Sequence, residues 1–226
     1  MPGIIGFQGT SNPLAAAALM DAMVKAMDLQ ENSRVDSYVK ADVGLARVHL
    51  NIIDKTPQPL WSADGNTALI MTGEIFSWDG FAPEKVRTAN DGDFNNAELL
   101  LAAYTAFGAD FPQHVNGNFA AAVWDNAQQT LLLVSDPLTS YPLYYAHLGD
   151  VLVFGSGARA VAAAPGLPRA INPEAMAELV AFEHIYGDKT LFPGVQLVMP
   201  GTVLRFRHGQ LSQETYIDFQ YHEYYD

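Results

Sequence analysis

Apolar positions in this chain fall into short runs separated by turn residues, with a few longer segments at helical spacing. Residues 3–7 form an apolar strand pattern almost at the start, followed by a turn of Gly9, Ser11, Asn12 and Pro13. Asn12 suits a helix N-cap and Pro13 the first helical position, so residues 14–29 are predicted helical. Met20, Met23, Val24 and Met27 recur there at helical spacing and read as core packing, because methionine fills irregular gaps. Residues 42–54 predict one long or two short strands, ended by Pro57 and Pro59. Residues 67–72 predict another, after the turn Asp64-Gly65-Asn66. The spacing of Leu99, Leu100, Ala103 and Phe107 predicts a second helix over 95–107, with Gly108 as its stop.

Strand patterns follow at 118–124, 130–136, 143–147 and 151–154, joined by short polar turns. They predict an antiparallel meander and not βαβ units. A helix from 173 to about 186, capped by Asn172, and a hairpin of 203–206 with 210–211 complete the chain. The expected class is α+β, with antiparallel sheets covered by a few helices.

Composition narrows the function classes. The 226 residues suit one large domain or two small ones, and at 49% hydrophobic and 16% charged they can fill a core. A net charge of −13, with twelve scattered basic residues, argues against nucleic acid as a partner. Neither a span of 18 apolar residues nor an export signal is present, so no membrane is expected and the location is expected to be cytoplasmic. With no cysteine, disulfides, thiolate metal sites and a cysteine nucleophile are excluded.

Generic motifs add little. VLVFGSGARA, at 151–160, imitates a dinucleotide fingerprint, but Pro165 and Pro168 cut short any crossover helix behind it. The six histidines show no metal-ligand spacing, so no metal is expected. The buried terminal strand is more suggestive. An α-amino group with a pKa of about 7.7–8.0 can act as a base at neutral pH. Pro2 stands at its head.

Eight blocks occur in order: MPGIIGF, LNIIDKTPQPL, TGEIFS, NNAELLLAAYTAFG, VNGNFAAAVWD, LLLVSDPLTSYPLYYA, FGSGARAV and LFPGVQLVMPGTVLRF. This order resembles the type-2 glutamine amidotransferase domain of asparagine synthetases, a group of N-terminal-nucleophile hydrolases. The family pattern runs MCGIxGF, RLSIID…QPM, NGEIYN, SDxEVLLxAYxxWG, GxFAFAxWD, LxLxRDxxGxxPLYY, FASExKAL and PGxxL. The likeness covers nearly the whole chain. It implies a four-layer αββα sandwich of two mostly antiparallel sheets. It also implies a chemistry in which an N-terminal cysteine attacks the side-chain amide of glutamine and ammonia passes to an ATP-dependent synthetase domain.

The departures fall on the chemistry. Pro2 stands at the nucleophile position, so no catalytic residue is assigned. His49 stands where an arginine grips the glutamine carboxylate, and it lacks the planar fork for bidentate binding. Thr72 replaces an asparagine that donates to the oxyanion, whereas Gly73 and Glu74 remain. Asn96 replaces the aspartate that pairs with the substrate ammonium. The family's RHRGPD stretch is unrecognisable, and NSRVDSY reads as a short polar connection in its place. His49, Thr72, Gly73, Glu74 and Asn96 thus outline a vestigial pocket.

The resemblance and its departures imply a silent glutaminase-like domain, as in β-lactam synthetases and lasso-peptide cyclases. Residues 1–210 are expected to form that domain and 211–226 a linker or tail towards a synthetase domain. No pyrophosphate-loop motif occurs, so a C-terminal synthetase domain or a separate ligase protein is the expected partner, with a homodimer as a further expectation. ATP and magnesium are expected only for that associated domain, and no cofactor for this chain. Two other readings stand beside it. Removal of Met1 ahead of proline would free the Pro2 secondary amine as a base or iminium-forming nucleophile. Alternatively, the pocket binds a small amide or amino acid.

Overall fold

The computed structural model describes residues 2–27, 31–52, 55–81 and 95–217. Strands β1 (Gly3–Gln8), β2 (Arg34–Val39), β3 (Val43–His49), β8 (Tyr144–Leu148), β9 (Val151–Gly155) and β10 (Gln196–Leu197) form one sheet, in the order β10-β8-β9-β1-β3-β2. Strands β4 (Leu60–Trp61), β5 (Thr67–Trp78), β6 (Val115–Asp125), β7 (Thr130–Ser135), β11 (Thr202–Arg207) and β12 (Gln210–Thr215) form the other, in the order β12-β11-β7-β6-β5-β4. Every pairing in both sheets is antiparallel.

Alternation along each strand builds the layers. Ile4, Leu45, Ile70, Ala122, Trp124 and Phe154 meet between the sheets. Ile5, Phe7 and Val48 face outward, onto Met20 and Met23 of helix α1 (Pro13–Ala26) and its C-cap Met27. On the far side Leu69, Met71 and Val123 pack against Leu99, Leu100 and Ala103 of helix α2 (Asn96–Phe107). The result is the expected αββα sandwich, and the methionine stripe is core packing.

Several elements differ from expectation. Residues 118–154 do not form one meander: β6 and β7 pair in one sheet, while β8 and β9 pair in the other. NSRVDSY is no mere connection, since β2 runs through it as an edge strand, half of whose residues are exposed and none fully buried, which hides the alternation. β5 continues to Trp78, six residues past 72, because β6 begins early enough to pair with it. After β9 comes only the five-residue helix α3 (Ala158–Ala162), too short to be a crossover. Helix α4 (Pro173–Phe182) stops short of 186 where Glu183 turns left-handed at φ 56°. β12 takes in the first five residues of the tail expected from 211, and Tyr216 is still tied to the domain through its N–H on the Gly201 carbonyl.

Asp136, fully buried, holds the crossing from β7 to β8. Its Oδ2 accepts from the N–H groups of Phe119 (3.1 Å) and Ser140 (2.9 Å). Its Oδ1 accepts from the Leu138 N–H at 2.7 Å and the Ser140 hydroxyl at 3.2 Å. Asp136→Ala removes the partner of three backbone donors and should lower the unfolding free energy by about 3–5 kcal/mol, read as a shift of the urea midpoint.

Two phenols tie α2 and the end of the chain to the same sheet: Tyr104 donates to Asp125 at 3.1 Å, and Tyr216 to the Ser135 carbonyl at 2.8 Å. Burial first, and then the neighbouring carboxylates Asp125 and Asp136, raise both above the ordinary tyrosine value of 10.0. A folded-state value above the unfolded one gives stability that is complete below the unfolded pKa and is lost as pH rises through the folded one. Stability should therefore fall above about pH 10, and the double variant Tyr104→Phe/Tyr216→Phe should flatten that decline in urea midpoints measured against pH.

Candidate active site

The site is built from the head of β1 outward. The last register pair between β1 and β3 is Gly3↔Val48, which puts exposed Pro2 and half-buried His49 next along their strands. β1 is clamped on its other side by β9. The Ile4 N–H donates to the Ser156 hydroxyl at 3.0 Å, and the Ser156 N–H donates back to the Ile4 carbonyl at 2.8 Å. Ser156 lies so close that a Cβ on Gly3 would stand 2.4 Å from the serine Cβ.

β5 supplies the opposite wall. Thr72 and Glu74 share the alternation of Ala68 and Ile70, which face the first sheet. Gly73 between them has φ +110°, and a Cβ there would meet the Asn118 carbonyl oxygen at 2.1 Å. Asn96 opens α2 beside this strand, and its side-chain oxygen accepts from the Ile75 N–H at 2.8 Å. That oxygen ties helix to strand, whereas the neighbouring Asn95 caps the helix through the N–H groups of Ala97 and Glu98.

Asp36 and Gln58 join the two walls, and neither was among the expected site residues. Asp36 lies opposite Arg47 in the β2–β3 register, and its Oδ2 accepts from the Arg47 guanidinium at 3.1 Å. The same oxygen accepts from the Gln58 backbone N–H at 3.2 Å and lies 3.2 Å from the His49 Nε2. The Arg47 head also donates to the Thr56 carbonyl at 2.7 Å. The Gln58 side chain reaches the other sheet, where its oxygen accepts from the Met71 N–H at 2.7 Å. Contacts thus run from His49 through Asp36 and Gln58 to Met71, next to Thr72. All the expected pocket residues lie at one end of the sandwich. The sequence signal for Asp36 was its place opposite Arg47 in a β hairpin, visible only once β2 is recognised as a strand.

In chemical terms the site has a prolyl head without a nucleophilic side chain and a neutral asparagine. Its histidine and arginine already face an internal carboxylate. Among the described residues no group of three or more histidine, aspartate or glutamate side chains is gathered as a metal site.

Residues 1–217 match the glutamine amidotransferase domain family. The chain belongs to that family. It is a type-2 amidotransferase domain of the N-terminal-nucleophile kind, related to glutamine-hydrolysing asparagine synthetases. It is 29% identical over 93% of its length to asparagine synthetase [glutamine-hydrolyzing] 1 of Bacillus subtilis, and covers 35% of that protein. It is likewise 29% identical over 79% of its length to the amidase chry2 of Gibberella zeae, covering 27% of it. The domain therefore spans about a third or less of these relatives. Among solved structures, glutamine phosphoribosylpyrophosphate amidotransferase from B. subtilis superposes with a TM-score of 0.54 at 16% identity, over 95% of this chain and 49% of that one. At that identity the likeness concerns the fold.

Gly73→Ala places a side chain against backbone at a left-handed φ, so it should destabilise the domain by about 2 kcal/mol or more in urea melts. Gly65→Ala, at a turn with open space around it, carries only the backbone penalty of its φ of +71° and should cost less.

Proposed function

We propose that this domain lacks glutaminase activity and serves as a scaffold or docking domain within an asparagine-synthetase-like, ATP-dependent amide-forming system. The observation that carries this reading is Pro2 at the head of β1 in a chain without cysteine. Type-2 chemistry needs a side-chain thiol or hydroxyl beside an amine that takes its proton. Proline has no such side chain. The substrate-gripping positions point the same way, because His49 lies against Asp36 and the Asn96 oxygen is taken by β5. Support for the docking half comes from α4, in which Ala175 is the one buried residue. Val180 (77%) and Phe182 (62%) stay exposed, while Lys189 ties the helix down through Glu174 and Glu178. The partner is a C-terminal synthetase domain or a separate ligase, which would bring its own ATP and magnesium. This follows the arrangement of β-lactam synthetases and lasso-peptide cyclases.

A second reading rests on the exposure of Pro2, whose secondary amine would act as a base once Met1 is removed. Intact-mass measurement with Met1 retained would end it.

The central test is ammonia release from glutamine. The natural protein should give none above background. Pro2→Cys should also remain inactive, since His49 and Asn96 leave the substrate without its charged grips. A natural protein that turns over glutamine at a rate typical of amidotransferases refutes the silent reading.

A further inference from the structure

Three groups converge on one oxygen of Asp36: the Arg47 guanidinium and the Gln58 N–H donate to it at 3.1 and 3.2 Å, and the His49 Nε2 lies 3.2 Å away without a hydrogen bond to it. Two of these groups, Arg47 and His49, come from positions on β3 that alternate with Val43 and Leu45, so their side chains lie on the face between the sheets. The third comes from the segment that leads into the opposite sheet. The Arg47 side chain is only 5% exposed and that of His49 12%. Two cationic or ionisable heads and a backbone N–H around one carboxylate oxygen make a carboxylate-binding cage. Its occupant is a side chain of the edge strand β2, the first sheet's most exposed element flanking the site.

We propose that Asp36 is the resident ligand of a carboxylate subsite formed by Arg47, His49 and the Gln58 amide, filled from within so that the carboxylate of a free amino acid is excluded. This rests on the reading of the site as one without glutaminase activity, and it names what stands in the way of substrate. The cage selects a small planar monocarboxylate, because its donors meet a single oxygen at the mouth of the sandwich. Exclusion follows from proximity. A side chain already tethered beside its donors competes at an effective concentration that a free metabolite does not reach.

Removing the resident carboxylate should turn the cage into a site for an added one. Asp36→Ala is expected to lower the melting temperature by roughly 5–10 °C, as the buried arginine loses one of its partners. Sodium formate or acetate at about 100 mM should recover about 3–5 °C of that loss beyond sodium chloride of equal ionic strength, as for a ligand bound in the low-millimolar range. The natural protein should show no such difference. Asp36→Asn should show none either, because its amide still fills the space. Adding Arg47→Met to Asp36→Ala should abolish the recovery. If Asp36→Ala does not fold in plain buffer, its refolding yield in formate against chloride becomes the readout, and no gain counts against the cage. Equal response to formate and chloride overturns the proposal, and so does an equal formate response in the natural protein. These melting curves need no turnover of glutamine. Ammonia release would sink the silent reading whatever they show, and absent rescue would sink the cage while leaving that reading in place.

Discussion

Where the chain leaves β7 for β8 it crosses from one sheet to the other, and the crossing would bury peptide N–H groups that no strand can satisfy. Asp136 takes them up with both carboxylate oxygens while its own backbone remains bonded to β6 and to Gly201. Buried donors without partners are among the costlier defects of a fold, so the sheets can face one another only because this corner is satisfied. Asp136 stands at the site's own end of the sheet, bonded to Phe119, which is the register partner of Gly73.

Much of the fold was legible because most strands are buried on one or both faces. β1, β6, β7 and β9 read as apolar runs, and α1 and α2 carry their N-caps as Asn12 and Asn95. What escaped reading follows from the same physics. Among the described residues β2 pairs with β3 alone, and half of its residues are exposed with none fully buried, so hydrophobic burial left only a faint mark on its composition. Pairs of hairpins in separate sheets and a single meander have identical local patterns, and only the Asp136 crossing distinguishes them. The left-handed Glu183 that ends α4 carries no glycine to announce it.

The candidate site was legible where a motif spans neighbouring residues and illegible where contacts are long-range. Thr72, Gly73 and Glu74 stand together on β5, and Asn96 stands at the start of α2. Asp36 and Gln58 are separated by 22 residues and meet only after β2, β3 and the segment behind them have folded back. Asn96 shows both cases. Its side-chain oxygen also accepts from the backbone of β5, a long-range contact that no local motif announces.

Gly3 and Gly73 owe their identity to close approaches, of Ser156 in one case and of the Asn118 carbonyl in the other. Neither demand involves a reacting atom. Natural selection for folding alone would therefore keep both glycines in place long after catalysis had ceased to matter. A lineage can go on displaying the letters of an enzyme's signature as a by-product of its architecture. In such domains, the side chains that architecture leaves free are the better record of whether the chemistry is still in use.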